Sequence, residues 1–487
     1  MSQSNEQISS RISREVFFRP ERKRVRDFMP RGATPELVVS QREVRLFDIS
    51  ANGLSFLCSR PEDFENDADL PVSLQLHGKH LFQGRGRVAR READGRSTRV
   101  GLALTSGFFD LQEMSRQAEE ASFDRELVQG LDASRYKVPV AYRDALSELV
   151  AFALYYRHAL ERRDRRPRSY ANPEHSTADV VERAHAVMRE RWDELVKKTA
   201  LAALECRRDA QSLRAAKDLT QSSLTSLLMS SKVIERAFRK PRGYPGDYQF
   251  MLHCHGYDLK EASVFGQVMD KLFAEHPLVS GVRQRCYLIE ERMEQEHERK
   301  LSMGARSFRV ASLGCGPSLE SSLFAARRAN WPGAVHWTLI DQDEEALDVA
   351  FRNTNAALAQ SRSDGHVRCL NLTFSQLVAE GTGWQFLDQE DFIFSTGLFD
   401  YIQESRGKQL ILNMYERLAP GGLLAIVNAV GPNDNLWLPE FVMEWRLLYR
   451  DRQEMLRLAG ALPATADVEV VLEKSQAFYV LLIRKTA

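Results

Sequence analysis

The stretch VASLGCGPSLE, Val310 to Glu320, constrains this chain more than any other. An apolar, β-type run stops at Gly314-Cys315-Gly316 and passes at once into residues that start a helix. A strand that turns through glycine into a helix lets backbone approach a ligand, because no side chain stands in the way. From about residue 305 the same rhythm recurs: FRVASLG, VHWTLID, HVRCLNL, DFIFSTG and GGLLAIVNAV are strand-like runs separated by helix-like sequence. That alternation predicts a parallel, doubly wound α/β sheet over 301–487, closed by VEVVLEKSQAFYVLLIRK as a pair of strands.

The glycine turn narrows the ligand. A dinucleotide fingerprint needs a third glycine three residues after the second, and this chain has Leu319 there. The next strand ends in LIDQD and places Asp341 where a carboxylate grips ribose hydroxyls. A nucleoside without a pyrophosphate is therefore the better ligand, and S-adenosylmethionine fits. A dehydrogenase is disfavoured by Leu319.

Five pieces in order carry a resemblance: VASLGCGPS, LIDQD, LNLTF, DFIFSTGLFDYI and LAPGGLLAIVN. Together they resemble a class I S-adenosylmethionine-dependent methyltransferase with a Rossmann-like fold. The resemblance implies that Gly314 and Gly316 face the methionine moiety, that Cys315 between them belongs to the cofactor site, and that Asp341 binds the ribose. Asn371 would lie near the adenine, and Ser395 to Gly397 would border the transfer site. More narrowly, KPRGYPGDYQFM (240–251), GLFDYI and MEWRLLYR (443–450) look like a bacterial family associated with 3-hydroxypalmitic acid methyl ester, a quorum-sensing signal. Arg242, Tyr244, Gly246, Asp247 and Tyr248 occupy the first of these motifs, read either as a lid or as a plain Pro-Gly turn.

Methyl transfer from a sulfonium is an in-line displacement, so alignment is the main task. A carboxylate acceptor arrives charged and needs no base, whereas a hydroxyl or amine needs one. Asp400, Glu444, His253 and His255 are candidate bases, with Tyr244, Tyr401 and Arg446 counted beside Asp400 and Glu444 in the catalytic set. Arg242 or Arg446 would pair with an acyl carboxylate in bidentate fashion. PEFVMEWRLLYRDRQEMLRL reads as an amphipathic helix bearing Glu444 and Arg446, whose Phe441, Trp445 and Leu448 line an acyl pocket or pack the core. No cysteine pair or His/carboxylate spacing suggests a metal.

Upstream, Phe17 to Phe109 alternates short apolar strands with turns, which predicts a small antiparallel β-barrel. RPERKRVRDF supplies Arg22 and Arg26 as RxxxR, and FDISANGLSF supplies Asp48, Ser50 and Gly53 as DxSxxG. The pairing resembles a PilZ domain, the bacterial receptor for cyclic di-GMP. The resemblance implies arginines on phosphates and guanine faces, and a carboxylate and hydroxyl on guanine edges. Gly53 would allow close approach, and Arg42 and Arg45 are further basic residues near the site.

The chain is thus expected to be multidomain: a disordered 1–16, a PilZ-like β-barrel over 17–109, a central α-helical region over 110–300 with a basic linker near 162–176, and the methyltransferase domain. At 487 residues it is too long for one core. Its formal net charge of zero argues against a nucleic-acid binder. No apolar run suits a membrane span, and six scattered cysteines suit a reducing, cytoplasmic compartment. VVERAHAVMRERWDELVKKTALAALE is amphipathic, which either homodimer formation or packing within the chain explains. The functional expectation is a cyclic di-GMP-responsive methyltransferase acting on a small or fatty-acyl carboxylate. The alternative is a cyclic di-GMP effector working by protein contact, with a catalytically silent methyltransferase fold.

Overall fold

The computed structural model of the chain describes residues 23–24, 29, 35–50, 53–64, 68–76, 78–94, 97–106, 109–110, 113–120, 123, 137–164, 177–256, 263–327, 333–361, 364–378, 384–431 and 436–486. Two compact units divide it, Met1–Ala133 and Ser134–Ala487. The segment 1–16 and residues 165–176 of the expected linker lie outside the described residues.

The first unit is a closed antiparallel barrel. A two-residue strand, β1 (Lys23–Arg24), precedes β2 (Glu36–Val39), β3 (Arg42–Ser50), β4 (Gly53–Cys58), β5 (Asp69–Leu76), β6 (Lys79–Asp94) and β7 (Ser97–Ser106). Pairing runs β3-β2-β5-β6-β7-β4, and β4 pairs back onto β3, so the ring has no free edge. β1 adds to β3 with Arg24 opposite Asp48. Period-two alternation fills the interior. Leu37 and Val39 of β2 stand opposite Leu74 and Val72 of β5, while Leu54 and Phe56 of β4 stand opposite Leu102 and Val100 of β7. β2 and β3 join through Ser40 and Gln41, both at positive φ (51° and 65°), as the twist of a two-residue hairpin requires. Phe109, Met114 and Ala118, the last two on a helix over 113–120, belong to this same core.

The second unit is built on a seven-stranded sheet. β8 (Ser307–Leu313), β9 (Ala334–Asp341), β10 (Gly365–Asn371), β11 (Glu390–Ser395) and β12 (Leu418–Ala429) are parallel. β13 (Asp467–Leu472) and β14 (Phe478–Arg484) form the expected closing pair, with β14 antiparallel to both β12 and β13. The strand order is β10-β9-β8-β11-β12-β14-β13. An all-parallel dinucleotide sheet has the order 3-2-1-4-5-6. Here a reversed strand stands between the fifth and the sixth. β8 lies between β9 and β11, so chain direction switches sides at the end of β8, which is where an open α/β sheet leaves a crevice.

The helices between Val140 and Ser302 share a hydrophobic core with this sheet, and the Glu404–Glu416 and Arg452–Leu458 helices share a second one with it. Met188, Trp192 and Leu195 of the Thr177–Cys206 helix belong to the same buried cluster as Phe308, Trp337 and Phe478 of the strands. The amphipathic face of that helix is therefore packed inside the chain, against the Val140–Asp164 and Val264–Ala274 helices. A buried polar chain reinforces the packing: Trp437 Nε1 donates to the Tyr142 hydroxyl at 3.0 Å, which lies 2.6 Å from Thr220 Oγ1.

The expected helix PEFVMEWRLLYRDRQEMLRL is not one helix. A wide helical turn covers Leu438–Val442, the chain then runs extended, and a short helix resumes at Arg452–Leu458. Tertiary hydrogen bonds override the helical periodicity. The Leu448 N–H donates to the Asp400 carbonyl at 2.7 Å, the Arg450 N–H donates to the Ala429 carbonyl at 3.1 Å, and Glu444 turns the chain with φ of 53°.

Candidate functional site

A cavity of about 370 Å³ opens at the carboxyl ends of β8, β9 and β11, within the size range of small-molecule sites. Its floor is the glycine turn. Gly314 and Gly316 have φ of 63° and 50°, in the left-handed region that L side chains avoid. A Cβ on Gly316 would meet nothing within 4 Å, so the missing side chain leaves room on the cavity side. The Gly316 N–H donates to Asp341 Oδ2 at 2.8 Å, and the Asp343 N–H donates to Asp341 Oδ1 at 2.9 Å. Burial pushes the Asp341 carboxyl up while these N–H donors pull it down. The Cys315 thiol also lines the cavity, and burial pushes it well above its usual range, which makes it a poor nucleophile.

Ile340, Leu372, Phe374, Leu377, Leu398 and Ile402 make one part of the wall apolar. Asn371 sits at the end of β10 but does not line the cavity; its Nδ2 turns back to the Asp341 carbonyl at 3.3 Å. Ser395 is buried outside it, and its hydroxyl donates to the Leu313 carbonyl at 2.8 Å, pinning β11 to β8. Gly397 does line it, with Thr396.

The segment 240–251 roofs the cavity. Tyr244, Gly246, Tyr248 and Met251 face inward. Arg242 is held by Asp343 (3.0 Å to Oδ1) and by Glu345, and the Tyr248 hydroxyl donates to Glu345 Oε2 at 3.0 Å. Arg242 is thus a latch between the roof and the turn after β9, and it does not face an acceptor. Asp247 is buried and caps the Tyr248–Cys254 helix, taking the Phe250 N–H at 3.0 Å and Arg236 at 2.8 Å. At Gly246, with φ of 73°, a Cβ would lie 2.6 Å from the Trp445 ring. Trp445 in turn donates its indole N–H to the Tyr401 hydroxyl at 2.8 Å, and that hydroxyl donates to the Pro245 carbonyl at 3.2 Å.

Asp400 and Tyr401 line the cavity. Asp400 is buried, accepts the Ala429 N–H at 2.7 Å, and is pushed up to about 6 by burial, against the pull of Arg285. His255 also lines the cavity and is held down at about 4 by burial and by Arg283 and Arg285. His253 does not line it, and no metal-holding group of three ligands exists among the described residues. Glu444 accepts from Gln221 and Arg446 is exposed; neither reaches the cavity, because the helix expected to carry them is extended chain. Phe441 and Leu448 also stay outside, whereas Trp445 and Leu447 line the wall.

Two charged residues in the cavity carry no sequence signal. Arg285 comes from the Pro277–Ser302 helix and Glu320 from the Leu319–Ala326 helix. Both are buried, and burial pushes the Glu320 carboxyl up. The turn that bears Asp400 is held by Arg450, whose guanidinium donates to the Phe399 carbonyl at 2.8 Å, to the Ile402 carbonyl at 2.5 Å, and to Asn428.

In the barrel, Arg22 and Arg26 lie outside the described residues. The strand Lys23–Arg24 between them pairs along Asp48 and Ile49. Asp48 is buried and accepts from Ser55 Oγ at 2.7 Å, and Ser50 donates to the Gly53 carbonyl at 3.2 Å. A Cβ on Gly53 would meet the Leu102 carbonyl at 2.4 Å, so the close approach is made by β7. Arg42 pairs with Asp63 at 2.5 Å, and Arg45 is exposed.

No curated protein matches the chain in sequence. In structure it is similar to a possible exported protein from Bordetella parapertussis, at 18% identity over 54% of this chain and 88% of that one, TM-score 0.41. It is also similar to the N-methyltransferase NodS from Bradyrhizobium japonicum in complex with S-adenosyl-L-homocysteine, at 17% identity over 49% and 98%, TM-score 0.29. A third similar structure is magnesium protoporphyrin IX methyltransferase from Synechocystis with bound S-adenosylmethionine, at 11% identity over 43% and 84%, TM-score 0.30. Residues 20–117, which span the barrel, match the PilZ domain family.

Proposed function

We propose that the second unit is an S-adenosylmethionine-dependent methyltransferase acting on the carboxylate of a small or fatty-acyl acid, and that the barrel binds cyclic di-GMP and regulates it. The observation that carries the enzyme reading is the Gly314–Gly316 turn hydrogen-bonded to Asp341 on the floor of a cavity at the strand-order switch. Leu319 and the reversed β14 set this sheet apart from a dinucleotide site.

The residues fit the donor. The open side of Gly316 leaves room for its methionine chain, Asp341 would take the ribose hydroxyls, and the wall of Leu372, Phe374 and Leu377 suits a flat base. When bound, S-adenosylmethionine supplies a sulfonium methyl that passes to an acceptor oxygen, the electron pair of the broken bond staying on sulfur. The chain's task is to exclude water and orient the acceptor, which the roof of Tyr244 and Tyr248 and the Trp445–Tyr401 pair perform. Leu278, Val282, Met251 and Phe478 give an acyl chain an apolar path.

Incubating the full chain with methyl-labelled S-adenosylmethionine and a panel of 3-hydroxy fatty acids tests the reading, with labelled ester expected. Donor binding without ester or any other labelled product supports the effector that acts by protein contact. Label appearing on protein overturns the acyl substrate.

In the barrel, Lys23 and Arg24, which lie within the RxxxR motif, pair with Ile49 and Asp48 on the strand of the DxSxxG motif, which supports a dinucleotide site there. Regulation requires the dinucleotide to bind two states of the chain unequally. Transfer rates with and without cyclic di-GMP measure it.

A further inference from the structure

Arg285 is a buried guanidinium with an unused hydrogen-bonding edge. Only 6% of its surface is exposed, and it lines the cavity. Among the described residues, its one hydrogen bond is from Nη2 to the Met251 sulfur, at 3.8 Å. The nearest carboxylate oxygen, Asp400 Oδ2, is 3.7 Å from Nη1, too far for a hydrogen bond. Asp400 already spends its other oxygen on the Ala429 N–H. Below the guanidinium, the Phe478 ring lies 4.5 Å from Cζ and covers one face. Beside it, Gly397 leaves space that a Cβ, 3.7 Å from Nη2, would begin to fill.

A buried charge is costly unless it is paired and hydrogen-bonded, and a stacked guanidinium offers its planar N–H fork to one kind of partner above all. Among the described residues lining the cavity, Arg285 is the only arginine or lysine, while His255 beside it is kept neutral. Asp400 lowers the cost of burial through its field and leaves the fork open. Resting on the methyltransferase reading of the same cavity, we infer that Arg285 is the seat of a ligand carboxylate, bound bidentately by its N–H fork. Two ligands present that chemistry, the amino-acid end of the donor and the acyl acid itself.

Calorimetry on the full chain separates them. One pair of probes is S-adenosylhomocysteine against its decarboxylated analogue, 5′-(3-aminopropylthio)adenosine. The other is dodecanoate against dodecanamide, with S-adenosylhomocysteine saturating. The wild type is expected to prefer the carboxylate member of at least one pair by about tenfold or more, and the pair that shows it identifies the source. Arg285→Met is expected to abolish that preference and Arg285→Lys to keep part of it. No preference in either pair, or one that survives unchanged in Arg285→Met, overturns the inference. Should the Met variant fail to fold, the wild-type preference and the Lys variant decide. Wild-type chain that ignores S-adenosylhomocysteine sinks the methyltransferase reading, and the dodecanoate pair run without it still tests the seat.

Discussion

The Gly316 N–H and the Asp341 carboxylate are joined by a 2.8 Å hydrogen bond, so the glycine turn and the end of the neighbouring strand move as one piece. Asp341→Ala removes this tie and, on the proposed reading, the group that takes the ribose hydroxyls. The dissociation constant for S-adenosylhomocysteine is expected to rise about tenfold to a hundredfold, read by calorimetry. Undiminished affinity in the variant would remove the donor site from this turn.

Asp400 is the residue at which the need for a base is tested. A carboxylate acceptor is ionised well below neutrality, so kcat/KM should be level between pH 7 and 9, above the Asp400 titration near 6. Asp400→Asn is expected to keep transfer within about tenfold on an acyl acid. A loss of a hundredfold or more assigns proton removal to Asp400 and points to a hydroxyl or amine acceptor.

Gly246 is pressed against Trp445. Gly246→Ala puts a Cβ where only 2.6 Å is available, at a φ of 73°, and is expected to cost about 1–3 kcal/mol in denaturant unfolding. Because Trp445 holds Tyr401, the KM for the acceptor should rise more than the dissociation constant of the donor.

Glu390, at the start of β11 and away from the cavity, gives a pH signature. Burial pushes its carboxyl from 4.5 up to about 7, so the fold holds a proton that the unfolded chain releases between those values. Its contribution to stability is full below pH 4.5 and is lost as pH rises through 7. Glu390→Gln is therefore expected to be more stable than wild type at pH 8 by on the order of 3 kcal/mol, with the gap closing at pH 4. Urea titrations at the two pH values read it.

For the barrel, calorimetry with cyclic di-GMP compares wild type with the Arg22→Ala/Arg26→Ala double variant. If these two arginines hold the phosphates as proposed, their loss is expected to weaken binding by about a hundredfold or more. Equal affinity in both proteins rules out the RxxxR site.

Much of the fold was legible because strand periodicity and glycine turns are local. The five parallel strands, the closing pair and the barrel strands sit where their apolar runs place them, and Gly316 and Asp341 meet at the ends of adjacent strands. What escaped was set by contacts distant in sequence. Arg285 stands on an amphipathic helix like any solvated arginine, and only the fold turns it toward Asp400 and Phe478. Glu444 and Arg446 lie in a segment with helical periodicity, but the carbonyls of Asp400 and Ala429 draw the following residues into extended chain. Arg242 has the chemistry of an anion binder and is consumed by Asp343 and Glu345.

β14 is later in sequence than both strands it joins, and this fixes the order in which the second unit can be completed. On a growing chain, β12 remains an edge with open hydrogen-bonding groups, and β13 waits for its strand partner, until Phe478–Arg484 slides between them. Phe478 is also the platform beneath Arg285, so that guanidinium acquires its support only at the late insertion. A chain interrupted before Phe478 would carry the glycine turn and its aspartate and still lack a finished pocket.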